Sequence, residues 1–218
     1  MGDYNRASIA YLGVLRGRKI RLGEDNLVVG EAYYKLGRAL RETGQHEKAL
    51  KCMKEALPIF VSKGVEMQDV ERIAEIMHQM ALINKDKKNL MEAARIFKQE
   101  LGVRRKIGQP EFPTIARTLN HLGVIEFELK NNTRALKYMV EALTIFQKRG
   151  EQGIDCAEVL FNSGLVFEAC NNKQRALEAF EEAARIFRVH SYREDHPHLL
   201  KACKKIDRLQ QSTRKAAL

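Results

Sequence analysis

The chain has 218 residues, 44% of them hydrophobic and 30% charged, with no tryptophan and four prolines. That content folds rather than staying disordered, no apolar run approaches the roughly 18 residues of a membrane span, and arginines stand where a secretory signal needs its apolar core. Of the formal +10 charge, residues 1–21 carry +4 (five Lys/Arg, one acid) and residues 201–218 carry +5 (six Lys/Arg, one acid), leaving +1 between them, which is not the continuous basic face of a nucleic-acid binder.

Apolar periodicity predicts a lone helix over residues 6–21. Four helix pairs follow, at 29–43 with 45–62, 68–85 with 88–106, 113–130 with 132–149 and 154–170 with 172–189. A closing helix covers 196–211, where Asp195 is placed to cap it and Pro197 suits its first turn. The first helix reads as the second half of a missing unit and the last as the first half of an unfinished one. That suits a piece of a longer chain or of a larger assembly.

The pairs are copies of one another. Ala49, Ala93, Ala135 and Ala176 recur in the second helices at steps of 44, 42 and 41 residues. Four residues after each stands Met53, Phe97, Met139 or Phe180, and seven after each Ala56, Glu100, Ala142 or Ala183. Twelve residues before each stands Gly37, Ala81, Gly123 or Gly164. Glycine inside a helix costs about 1 kcal/mol relative to alanine and needs a packing reason. Here the reason is expected to be close crossing of two helix backbones. The second copy departs most, with Ala81 for glycine and Glu100 for alanine.

This spacing, clearest in "YYKLGRALRETGQHEKALKCMKEAL" at 33–57, resembles the tetratricopeptide repeat with its L-G…A-x3-F signature. The period of about 42 residues exceeds the usual 34 and is similar to kinesin light chain, whose repeats have extended helices. "RKIRLGEDNLVVGEAYYKLG" (18–37) and "YREDHPHLLKACKKI" (192–206) resemble the inter-repeat link of that family, and "TLNHLG" (118–123) its "LNNLG" motif. The resemblance implies an all-α fold over residues 1–218, a right-handed superhelical solenoid of antiparallel helix pairs.

Catalytic signatures are not found: there is no GxSxG, P-loop, HExxH or dinucleotide-type glycine loop. The chain is expected not to be an enzyme and to need no cofactor. His196 and His198 flank Pro197, with Cys203 downstream, but a fourth metal ligand is not evident, so no metal site is expected. Cys52, Cys156, Cys170 and Cys203 lack CxxC pairing and read as free thiols in a reducing, cytoplasmic compartment; the resemblance to kinesin light chain implies cytoskeletal association as well.

The resemblance also implies a concave surface lined by the first helix of each pair. The inward positions map to Glu31, Tyr34, Lys35, Arg38 and Arg41; to Glu75, His78, Gln79, Leu82 and Lys85; to Arg117, Asn120, His121, Val124 and Phe127; and to Glu158, Phe161, Asn162, Leu165 and Glu168. Asn120 and Asn162 fall near asparagines that hold ligand backbone in related arrays. Side-chain amides and imidazoles can pair with an extended backbone, and arginines with carboxylates. Tyr34, Phe127 and Phe161 can form pockets for apolar anchors. The expected function is a scaffold or adaptor that binds a short peptide, acidic with apolar anchors, in cargo or cytoskeletal work. The alternative is a basic-ended module contacting nucleic acid or an acidic surface such as a microtubule. Lys204 and Lys205 on the closing helix are expected to face solvent.

Overall fold

The computed structural model describes residues 2–107, 112–190 and 197–216. Among them every regular element is an α-helix, and there are ten. The chain divides into two compact units, Met1–Gln109 and Pro110–Leu218. The first holds α1 (Gly2–Leu22), α2 (Leu27–Glu42), α3 (His46–Lys63), α4 (Met67–Asp86) and α5 (Leu90–Lys106). The second holds α6 (Pro113–Glu128), α7 (Asn132–Arg149), α8 (Ile154–Ala169), α9 (Lys173–His190) and α10 (Pro197–Ala216). Asp195 and His196 lie outside the described residues.

Local chemistry sets the helix starts. The Asn26 side chain accepts a hydrogen bond from Val28 N at 2.9 Å and caps α2. Glu66 and Asp69 form a capping box at α4, and Pro113 occupies the first turn of α6.

The turn inside each pair recurs with one geometry. Gly44, Lys88, Lys130 and Asn171 stand five residues before the repeat alanines, and all have positive φ, at 74°, 64°, 65° and 58°. Each donates its N–H three residues back, to Arg41, Lys85, Phe127 and Glu168. The next residue donates five back, to Leu40, Asn84, Glu126 and Phe167. This is the Schellman pattern, which satisfies carbonyls that a helix end leaves unpaired.

Core packing follows the repeat. Ala49, Ala93, Ala135 and Ala176 are fully buried, as are Met53, Phe97 and Phe180, with Met139 nearly so. A Cβ on Gly37 would stand 3.2 Å from the Ala49 carbonyl, and one on Gly123 would stand 3.2 Å from that of Ala135. The first helix thus lies on the second at its small residues. In the first unit the core joins Val29, Leu36 and Leu40 to Met53, Phe60, Ile76 and Ile83. In the second, Phe180, Ala176 and Leu209 bury against Phe161, Leu165 and Ile206.

Glu100 occupies an alanine position and is fully buried. Its carboxylate lies 2.6 Å from Arg104 Nε, one turn on, and 3.1 Å from His78 Nδ1 on α4. An unpaired buried charge is costly, so the departure from the repeat comes with its own cation, Arg104, and a ring nitrogen of His78.

Candidate functional site

In the first unit α2 and α4 present the mapped row. Tyr34 is buried at 4% exposure, and its hydroxyl donates to Glu75 Oε2 at 3.3 Å. Burial, with the Glu75 carboxylate beside it, pushes the Tyr34 phenol above its ordinary range. Arg72 bridges the two helices: its Nε is 2.9 Å from Glu31, it pairs with Glu75, and its guanidinium lies 4.6 Å from the Tyr34 ring centroid. Sequence mapping did not single out Arg72, although its i,i+3 spacing to Glu75 was the available signal.

Arg38 lies over the same ring at 5.7 Å, and it is exposed. No carboxylate among the described residues is within ion-pair reach of it. Lys35 is exposed and 3.6 Å from Glu31. Arg41 is already committed, at 3.1 Å to Asp86 and 3.2 Å to Glu42. His78 is half-buried against Glu100, with its ring edge on Phe97 at 5.4 Å. Gln79, Leu82 and Lys85 are half-buried. Tyr4 and Tyr11 of α1 join Lys35 and Arg38 around a cleft of about 250 Å³.

In the second unit α6 and α8 present the other row. Asn162 Nδ2 donates to Asn120 Oδ1 at 3.0 Å, which links the two helices. Asn120 is buried at 7% exposure and Asn162 half-buried. Arg117 is exposed and 3.9 Å from Asp155, a loose pair. His121, Val124, Phe127 and Glu158 are half-buried. Phe161 turns toward the core, 5.4 Å from the Phe180 ring. Glu168 pairs with Lys205 at 2.8 Å and with Arg208, both on α10. The expectation for Lys205 is therefore corrected: it is half-buried in an ion pair because Glu168 ends α8 beside it, while Lys204 is exposed.

Burial pushes the thiols of Cys52 and Cys156 up to about 11, which makes them poor nucleophiles near neutrality. Among the described residues no group of three His, Cys, Asp or Glu side chains is placed to hold a metal ion. His198 packs its ring 5.7 Å from Phe187. Among the described residues no helix is long and apolar enough to cross a membrane.

The family model described as tetratricopeptide repeat matches residues 1–60 and 114–188. A crystal structure of BtubC (BKLC) from P. vanneervenii is similar with a TM-score of 0.77 at 21% identity, over 97% of this chain and 82% of that one. A putative kinesin light chain of Podosopora anserina, with nearly identical TPR-like repeats, has a TM-score of 0.67 at 16% identity, over 85% and 86% of the two chains. The apo form of RapI has a TM-score of 0.73 at 19% identity, over 84% and 65%. No curated protein sequence matches this chain. At these identities the likeness is one of fold, and repeats of this fold typically serve as non-catalytic scaffolds for protein partners. The small-residue register and the matched stretches agree: the chain belongs to the tetratricopeptide repeat family, and its helix pairs have the fold of kinesin-light-chain-like repeats.

Proposed function

We propose that the chain is a non-catalytic scaffold that binds a short linear peptide, acidic with apolar anchors, along the first helices of its pairs. The observation that carries this reading is Arg38. It is exposed, held over the buried Tyr34 ring, and without a carboxylate partner among the described residues. Such a side chain has its charge available and its direction set by stacking. In the second unit, taken by itself, the Asn120–Asn162 pair stands at mapped repeat positions. A carboxamide has two donors and two acceptor lone pairs, so the pair retains capacity for a peptide backbone. Arg117 stands one turn before Asn120 with only a loose partner. The fold shared with a putative kinesin light chain supports adaptor work in cargo or cytoskeletal attachment in the cytoplasm.

The basic ends have the lesser part. Lys19 is paired with Glu24 at 2.6 Å, and Lys205 and Arg208 with Glu168, so some of the terminal charge is spent internally. Linear peptides selected from a displayed library of about ten residues, roughly 33 Å extended, supply the probe. The double variant Arg38→Glu/Arg117→Glu is expected to weaken the selected peptides by more than tenfold, because attraction becomes repulsion. The variant Lys201→Glu/Lys204→Glu should change them by less than about threefold, since solvated charges contribute little. If only the end variant loses binding, and binding falls steeply with salt as counterion release requires, the basic-end module replaces the scaffold reading.

A further inference from the structure

A cleft on another side of the first unit lies between α1 and α3 and has a volume of about 470 Å³. Leu36 and Leu40 of α2 line it, together with Ile9 and Leu12 of α1. Ile9 remains 73% exposed and Leu12 41% exposed on its wall, and the buried Leu36 and Leu40 form its floor. Asn5, Ile9, Leu12 and Arg16 follow one another at steps of four, three and four, so this wall is a single stripe along about three turns of helix.

The charged residues that line the cleft are both lysines. Lys48 and Lys51 of α3 stand on the other wall, and Arg16 continues the α1 stripe. Lys48 contacts the Gln45 amide oxygen at 3.0 Å. None of the three has a carboxylate within ion-pair reach among the described residues, and Glu55, one turn beyond Lys51, forms no ion pair with it.

We propose that this cleft docks an acidic amphipathic helix of a partner protein. Its apolar side chains lie on Ile9, Leu12, Leu36 and Leu40, and its carboxylates meet Lys48, Lys51 and Arg16. An open apolar trough edged by charge is the arrangement that takes a helix by anchors at i, i+3 or i+4, and i+7. The edge charges steer the partner and select its sign. A second copy of the chain is disfavoured as occupant at either terminal helix, because residues 1–21 carry +4 and residues 201–218 carry +5 and would bring like charge.

The test uses the full chain and a displayed library of randomised helical peptides of about 18 residues, five turns. Enriched peptides should be acidic, with apolar residues on one face. Their fluorescence-anisotropy affinity should fall more than tenfold on Ile9→Glu and on Lys48→Glu/Lys51→Glu. It should be unchanged on Arg38→Glu, which reports the peptide face proposed above. These positions are exposed, and matching thermal melts will show that the variants fold. Failure to enrich any pool, or a neutral or basic pool, overturns the proposal. So does a pool whose binding survives Ile9→Glu or is lost only on Arg38→Glu. A concentration-dependent dimer in sedimentation that Ile9→Glu abolishes would also overturn it, by assigning the cleft to a second copy.

Discussion

A methyl group on Gly164 would stand 2.6 Å from Cε1 of the Phe180 ring, which is itself fully buried. The glycine of α8 is thus the socket for the large residue of α9. Gly164→Ala gains helix propensity of about 1 kcal/mol but must displace a packed ring, and overpacking costs roughly 1–3 kcal/mol. The variant should melt below wild type. Gly102→Ala, in α5 with nothing within 4 Å of the added carbon, should melt at or above it. Thermal melts of the two decide the matter, and a stabilised Gly164→Ala would refute the socket.

The alanines of α7 and α9 test the same contact from the other side. Ala135 and Ala176 are fully buried, so leucine at either should cost about 1–3 kcal/mol. Urea midpoints measure this, and unchanged midpoints for both would contradict the packing.

Glu100 answers to a different energy. It is fully buried, with Arg104 at 2.6 Å and His78 at 3.1 Å. Glu100→Gln keeps the shape and removes the charge that balances Arg104. Breaking a buried pair from one side costs on the order of 3 kcal/mol, and denaturant unfolding should show a loss of that order. Arg104→Gln, which leaves the carboxylate buried, should be comparably damaging.

The buried thiols give a pH dependence. Cys52 and Cys156 are raised to about 11 by burial, against an ordinary value of 9. Below pH 9 the thiols are protonated in both states and their contribution is constant. Between pH 9 and 11 the unfolded chain loses these protons first, so stability falls as pH rises through that window. A Cys52→Ala/Cys156→Ala variant should lose stability less steeply there. Alkylation with iodoacetamide at pH 8 should modify exposed Cys170 first and spare Cys52 and Cys156 in the folded protein.

The repeat could be read before the structure because small residues at fixed spacing have few causes. Gly37, Gly123, Gly164 and the four alanines are buried where the spacing implied. What escaped is what depends on two elements at once. Arg72 bridges Glu31 and Glu75 across helices, and only its spacing to Glu75 lies within one helix. Glu100 showed as a departure from the repeat, but its partner His78 comes from another helix. Lys205 reads as a surface lysine until α10 is laid beside Glu168. The left-handed residues were also hidden, since one of the four is glycine and two are lysine, a residue that gives no hint of positive φ.

Those four turns bear on how the chain reaches its structure. Each closes a hairpin whose facing residues, such as Gly37 and Met53, are sixteen positions apart. Loops this short cost little closure entropy, and contacts this local belong to the fast end of the folding scale. Every hairpin can therefore nucleate without waiting for the others, and neighbours add by stacking on whichever forms first. A lysine at positive φ, as at Lys88 and Lys130, carries a strain of about 1 kcal/mol, so the hairpins closed by Lys88 and Lys130 start at a disadvantage to the one closed by Gly44. Nucleation is thereby biased toward the hairpins closed by Gly44 and Asn171, α2 with α3 and α8 with α9.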